Sequence, residues 1–435
     1  MNNYESYRDT GLTWINKIPA NWNQLKINAI FEERREKVSD KDYEALSVTK
    51  NGVFKQLKNV AKTTDGDNRK KVRIDDFVIN SRSDRKGSSG LSNFDGSVSL
   101  INTVLKIKKE YPRYIHYLLK SVPFQEEFYR NGKGIVADLW STNFQSMKSI
   151  VLPIPPIEEQ EQIANFLDWK INEIDKLILV EKNKIIEFEK LKTISLNKLI
   201  TANENYKKIK IKFFANLYGR IGWQGLNSSE YSNKGVYLIT GTDFANGTID
   251  FSKSVRVPKF RWEQNSKIQI KNGDLLITKD GTVGKLAIVN NLKEKATLNS
   301  GIMKIDFIRD DIVTKEYLFY VLKSNIFKNW FIDLNAGFAT IIHLYQKDFY
   351  NFYFNYPSIE RQKQIVEKIK LMESAYDTEI TNINAIITKL FKLKQSLLAE
   401  VVTGQIDVRN IVIPEYEKIA LVDAEKDESY KMGGE

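Results

Sequence analysis

The chain contains no cysteine and only two histidines, His116 and His343. The first absence excludes disulfides, iron-sulfur clusters, thiolate zinc sites and thiol nucleophiles. The second leaves little imidazole for metal binding or general-base work, and His116 lies in an aromatic segment (Tyr114, Tyr117, Leu118) that reads as packing. No uninterrupted apolar run reaches roughly 18 residues, and Met1 to Arg8 is polar, so no membrane span or signal segment is expected and the cytoplasm is the expected location. Catalytic motifs are missing too. Gly281 to Lys285 is too short for a phosphate-binding loop, with Leu286 where a hydroxyl is needed. There is no glycine-rich S-adenosylmethionine loop, and Asn355-Tyr356-Pro357-Ser358 only imitates an Asn/Asp-Pro-Pro-aromatic motif. The carboxylates are scattered without the spacing of a nuclease, glycosidase or metal centre. A non-enzymatic chain is therefore expected, with no catalytic residue and no metal ligand.

What is present is length, charge and repetition. At 435 residues and 42% hydrophobic content, two or more domains are expected. A formal charge of +11 suits a polyanionic partner, because clustered Lys and Arg release counterions from nucleic acid. Pro414 to Glu435 is acidic and poor in aromatics, so disorder is expected there.

The segment PPIEEQEQI, Pro155 to Ile163, recurs as PSIERQKQI, Pro357 to Ile365. The same register carries Asp175 onto Asp377, Leu191 onto Leu393 and Thr201 onto Thr403. Upstream, YIHYLLKS (Tyr114 to Ser121) corresponds to YLFYVLKS (Tyr317 to Ser324), shifted by one residue. Solenoid repeats have periods of about 20 to 50 residues, and this one is near two hundred, so it is a duplicated domain.

Each copy ends in a long predicted helix. Prolines fix an extended approach, Ser358 is placed to cap, and Glu158, Glu159 and Glu360 face the positive end of the helix dipole. The first helix carries a seam of Leu167, Ile171, Ile174, Ile178, Glu181, Ile185 and Phe188. The second carries Ile365, Ile369, Met372, Tyr376, Glu379, Ile383, Ile386, Leu390, Leu393 and Leu397. Alternating spacings of three and four mean helices packed along their length. About 45 residues make a helix of ~65 Å, longer than the diameter of about 35 to 40 Å expected of a ~150-residue globule. Each seam therefore needs another long helix, and an antiparallel pairing of the two would set the globules at opposite ends of a rod with pseudo-twofold symmetry.

The globules alternate short apolar runs, such as Phe77-Val78-Ile79 and Leu275-Leu276-Ile277, with loops and helical stretches, which reads as α+β. Each run leads into a Gly-rich basic loop, Ser81 to Gly90 in one copy and Thr278 to Lys285 in the other. Arg82, Arg85, Lys86, Lys279 and Lys285 are candidates to reach phosphates or guanine edges, and Ser88, Ser89 and Thr282 to bond phosphate or base acceptors. Arg130 and Lys133 in a Gly-rich bend join the set. Further basic clusters stand at Arg69-Lys70-Lys71-Arg73 and at Arg256, Lys259 and Arg261, some of them ordinary surface charge.

The residues also resemble a known family, the specificity subunits of type I restriction-modification systems. Gly11-Leu12-Thr13-Trp14-Ile15, then Ile18-Pro19 and Trp22, is similar to its amino-terminal signature. Pro-x-Ile-Glu-x-Gln-x-x-Ile, present twice, resembles the start of its spacer helices, and Thr403-Gly404-Gln405-Ile406-Asp407 the end of the second. Between Leu217 and Gly222 a second Trp and Ile-Pro opening is not matched. The resemblance implies recognition domains at 1–154 and 204–356, spacer helices at 155–203 and 357–404, and a tail at 405–435. It further implies a bipartite double-stranded DNA target, two methyltransferase subunits gripping the helices, and restriction or translocase subunits. S-adenosylmethionine, ATP and Mg are then expected on those partners and not on this chain. Two readings of other classes stay open: a coiled-coil scaffold that does not read sequence, and a self-sufficient DNA-modifying enzyme.

Overall fold

In the first domain the run Phe77–Asn80 is buried on both faces, so it occupies the interior of a sheet. That antiparallel sheet runs Ser89–Leu91, Phe77–Asn80, Asn102–Ile107, Phe31–Glu33. The second domain repeats the order with Leu286–Ile288, Leu275–Thr278, Ile302–Phe307 and Ala215–Gly219. The computed structural model describes residues 3–56, 66–134, 140–201, 206–220, 226, 228–336 and 343–419. The chain divides into two units, Met1–Asn183 with Asn384–Glu435, and Lys184–Ile383.

Each unit has a second small sheet. In the first, Gly96–Val98, Arg69–Val72 and Lys37–Val38 pair antiparallel, with a parallel bridge from Ala45 to Ser97. In the second, Val236–Ile239 runs parallel to Ala296–Leu298, flanked by Arg256–Val257 and Gln269–Ile270. A helical hairpin follows, Pro112–Lys120 with Val122–Arg130 in one copy and Lys315–Lys323 with Asn325–Leu334 in the other. The fold is α+β, duplicated.

The motif ahead of each long helix has a structural cause. Gln160 and Gln362 are fully enclosed. Gln160 accepts from Tyr111 N at 2.9 Å and donates to Pro155 O at 2.9 Å. Gln362 accepts from Thr314 N at 2.8 Å and donates to Ile312 O at 2.8 Å and Pro357 O at 2.9 Å. One amide satisfies both the donor and the acceptors left where the chain turns into the helix, which buried backbone groups require.

The long helices are Ile157–Thr201 and Ile359–Val402. In the first unit, Gln162 near the start of one helix donates to Val408 O just past the end of the other, and Asp175 further along meets Lys394. In the second unit, Lys192 meets Asp377, while Leu196 and Ile200 share a core with Ile365 and Ile369. Both units therefore pair the helices antiparallel. Leu167, Ile174, Ile178, Ile369, Ile383 and Leu397 are buried, and Ile171, Ile185, Phe188, Met372, Tyr376 and Leu390 half-buried. The predicted seam of the second helix needs a correction. Ile386 and Leu393 are 43% and 53% exposed, whereas Ile387 is buried. The packed line steps through Ile383, Ile387, Leu390, Lys394 and Leu397, because the helix takes a four-residue step after Ile383 where the sequence pattern suggested three.

The opening and closing signatures of the sequence meet in the first unit. Glu159 accepts from Tyr4 Oη at 2.6 Å and from Trp22 Nε1 at 2.9 Å. Gly404, at φ +72°, sits so close to Pro19 that an added Cβ would lie 2.3 Å from its Cδ. Gln405 donates to Lys17 O at 3.1 Å. The repeat places Arg361 where Glu159 stands, so the second unit has no such acceptor at that position. Of the tail, residues up to Ile419 lie along the first long helix, with Asn172 bonding Glu417 O and Ile419 N. The sequence predicts disorder from Pro414 onward; Glu417 and Ile419 are instead held by these bonds, and residues 420–435 lie outside the described residues.

Candidate nucleic-acid interface

In the first unit the strand Phe77–Asn80 ends at Ser81, and the chain then makes the short helical turn Ser83–Arg85. Ser81 O accepts from Thr142 N at 2.8 Å, Ser83 N donates to Trp140 O at 3.0 Å, and Lys133 pairs with Ser141 through both backbone groups. The two basic segments chosen from sequence are thereby brought together, with Ser83, Tyr129, Arg130, Trp140 and Thr142 around a cavity of about 260 Å³. Arg82 and Arg85 both face Asp84, Lys86 faces Glu126, and Arg130 bonds Glu127 and Thr13. These pairs are at the surface, where they contribute little and phosphate can replace the carboxylate. Lys133 is exposed.

Ser88 and Ser89 do not belong to this surface. They are 5% and 1% exposed, because Ser89 opens an inner-facing strand and Ser88 O accepts from Asn80 N across the hairpin. Consecutive residues are enclosed because this strand packs against both the Pro112–Lys120 helix and the Gly52–Lys55 strand, which a Gly- and Ser-rich run does not announce.

Lys120, which sequence reading passed over, ties the loops to the helical hairpin. Its Nζ donates to Lys50 O at 2.6 Å, Gly87 O at 3.1 Å and Ser89 O at 3.2 Å. Burial pushes this ammonium down to about 8. On the same helix, His116 accepts from Leu91 N at 3.2 Å, and burial with the Lys120 and Arg113 charges pushes its imidazole down to about 3. It is a neutral packing group, as its aromatic context indicated.

The second unit builds the same corner from other residues. Lys279 N donates to Gly301 O at 2.8 Å and Lys279 O accepts from Leu344 N at 2.9 Å. Lys285 Nζ donates to Gly241 O at 3.1 Å, and Thr282 is exposed at the loop tip. His343 bonds Asp280 at 2.7 Å, beside an exposed Tyr345. Among the described residues no carboxylate pairs with Lys279 or Lys285. Trp140, His343 and Tyr345 were not among the sequence candidates. Each is remote in sequence from the loop it joins, and its apolar local context gave no sign of a surface position.

The other basic clusters are largely committed to the fold. Arg69 is buried against Ser97, and Lys71 pairs with Glu36. Arg256 and Arg261 make two-pronged pairs with Glu294 and Glu230, and Lys259 pairs with Glu263. No group of three or more side chains able to hold a metal occurs among the described residues, and none of their helices is long and apolar enough to cross a membrane.

Comparison with known proteins agrees with this architecture. The type I restriction modification DNA specificity domain matches twice, over residues 19–190 and 183–390. The chain is 23% identical over 314 residues to the type I restriction enzyme MjaVIII specificity subunit of Methanocaldococcus jannaschii, covering 68% of this chain and 71% of that protein. It is 21% identical over 321 residues to the EcoBI specificity subunit of Escherichia coli, covering 67% of each. A chain solved in work on complex assembly and conformational transition of the type I R-M system shares the fold, with a TM-score of 0.65 at 14% identity over 89% of this chain and 99% of that one. Two family matches that together span most of the sequence, one on each copy of the duplicated scaffold, place it plainly: the chain belongs to the type I restriction-modification specificity family.

Proposed function

We infer that this chain is the DNA-reading, non-catalytic subunit of a type I restriction-modification complex. The observation that carries this reading is one scaffold presented twice with different residues on its exposed corner, Arg82, Arg85, Lys86, Arg130 and Lys133 in one copy and Lys279, Thr282 and Lys285 in the other. Identical readers would serve a repeated site. Different readers serve two different half-sites, and basic loops supply the phosphate contacts that position them.

In finer detail, each recognition domain reads one half of a bipartite duplex and the paired helices set the unspecified gap between. Half-sites on one face of the duplex lie about 34 Å apart or a multiple of that. The helices also dock two methyltransferase subunits, which hold S-adenosylmethionine, and restriction or translocase subunits bring ATP and Mg for cleavage. A site in the cytoplasm follows from such partners. Co-expression with the methyltransferase subunit, followed by sequencing of methylated positions, tests the reading. Two short defined blocks separated by a fixed gap are expected. Methylation without sequence preference would overturn it in favour of a scaffold, and methylation or cleavage by the purified chain alone in favour of an enzyme.

A further inference from the structure

The turn that precedes the central strand of each domain's main sheet is held in the same way in both copies. In the first, Asn102 N donates to Ser99 O at 3.0 Å and Ser81 N to Ile101 O at 3.2 Å. In the second, Ile302 N donates to Asn299 O at 3.2 Å and Lys279 N to Gly301 O at 2.8 Å. The flanking strands are in matching register, Asn102 opposite Asn80 and Ile302 opposite Thr278. Each turn is thus bonded to the start of its domain's basic loop, at Ser81 in one copy and Lys279 in the other, so whatever the loop approaches, the turn approaches too.

The tips differ. The second carries Ser300 and Gly301, ordinary turn residues. The first carries Leu100 and Ile101, which are 41% and 43% exposed. A solvated turn gains nothing from two adjacent aliphatic side chains, and these two are left out of the core while their backbone is fixed. They stand next to a loop whose cations Arg82, Arg85 and Lys86 face outward. Phosphate contacts by such cations carry no sequence information, whereas an aliphatic side chain in the major groove distinguishes thymine by its methyl group.

We propose that Leu100 and Ile101 form an apolar reading tip that packs on a thymine methyl group in the half-site read by the first recognition domain. The second domain's Ser300 and Gly301 cannot make that contact, so the two domains differ in chemistry as well as in sequence. The proposal rests on the DNA-reading function inferred above.

The test uses the complex assembled with its methyltransferase subunit and the target defined by its methylation pattern. Each thymine is replaced in turn by deoxyuridine, which removes the methyl and nothing else, and binding is measured by competition. Uracil for at least one thymine of the first half-site is expected to weaken binding roughly fourfold, the worth of one buried methyl-sized group. The double variant Leu100→Ser, Ile101→Gly, which takes the second domain's residues, is expected to bind the thymine and uracil duplexes equally while keeping its reading of the other half-site. Equal binding of the two duplexes by the unaltered complex overturns the proposal, as does a first half-site with no thymine on either strand. Loss of subunit assembly in the variant also overturns it, since the tip would then face a protein. Absence of any bipartite methylation pattern is a distinct result that strikes the function itself.

Discussion

Lys394 donates to both carboxylate oxygens of Asp175 at 2.7 Å, joining the two long helices within the first unit. The repeat carries Asp175 onto Asp377 and Lys192 onto Lys394, and in the second unit Lys192 bonds Asp377. One cross-helix ion pair is thus present twice, each the image of the other under the duplication. Both pairs are partly exposed, so each contributes about 0.3 to 1 kcal/mol. Asp175→Lys is expected to lower stability by about 1 kcal/mol through like-charge contact, and Asp175→Lys with Lys394→Asp to restore most of it. Denaturant melts arranged as a double-mutant cycle measure the coupling.

Gln160→Leu and Gln362→Leu should each cost about 1 to 3 kcal/mol, because a buried backbone donor and its neighbouring carbonyls lose their partner. The two losses should be similar, one in each unit. A surface substitution such as Glu161→Gln serves as the reference.

Gly404→Ala places a methyl against Pro19 at a positive φ. We expect the closing segment to detach from Pro19 and Trp22, with a loss of about 1 to 2 kcal/mol from strained backbone and lost packing. Hydrogen exchange should rise at the amino-terminal strands and around residues 404–411, and stay unchanged around Leu275–Thr278.

Acid should weaken the first domain before the second. His116 stays neutral in the fold down to about 3, while in the unfolded chain it takes up a proton below about 6.5. A base whose pKa is depressed on folding favours the unfolded state as protons are added, so this contribution to stability is intact above pH 6.5 and is lost progressively as pH falls toward 3. The half-buried ring puts the loss on the order of 2 kcal/mol. The repeat has Phe319 at the equivalent position. His116→Phe should flatten the acid limb of the first unit's melting profile, and an unchanged limb would refute this assignment.

Exchanging residues 205–355 for the same domain of another family member should change one half of the methylated sequence and leave the other. Methylation sequencing reads the outcome, and a change in both halves would sink the modular reading.

Much of the architecture was legible before any coordinates, because duplication and helix periodicity are properties of the chain itself. The Pro-x-Ile-Glu-x-Gln motif marked both helix starts, though its cause, the buried amide of Gln160 and Gln362, is a contact with residues some fifty positions earlier. The candidate site was legible only in part. Arg82, Lys86, Arg130 and Lys133 stood out as charges in Gly-rich loops, but nothing local distinguished them from Arg69, Arg256 and Arg261, which the fold consumes in ion pairs and buried bonds.

The sequence by itself determined that there are two copies, that each ends in a long helix needing a partner, and that cysteine chemistry is absent, since composition, spacing and repetition do not depend on how the chain folds. Only the tertiary structure decided that Ile387 and not Ile386 faces the partner helix, that Ser88 and Ser89 point inward, and that Gly404 closes on Pro19. Those outcomes depend on which neighbours distant in the chain cover an element, and for the helix a one-residue change of step exchanges Ile386 and Ile387 with little change in the pattern that sequence displays.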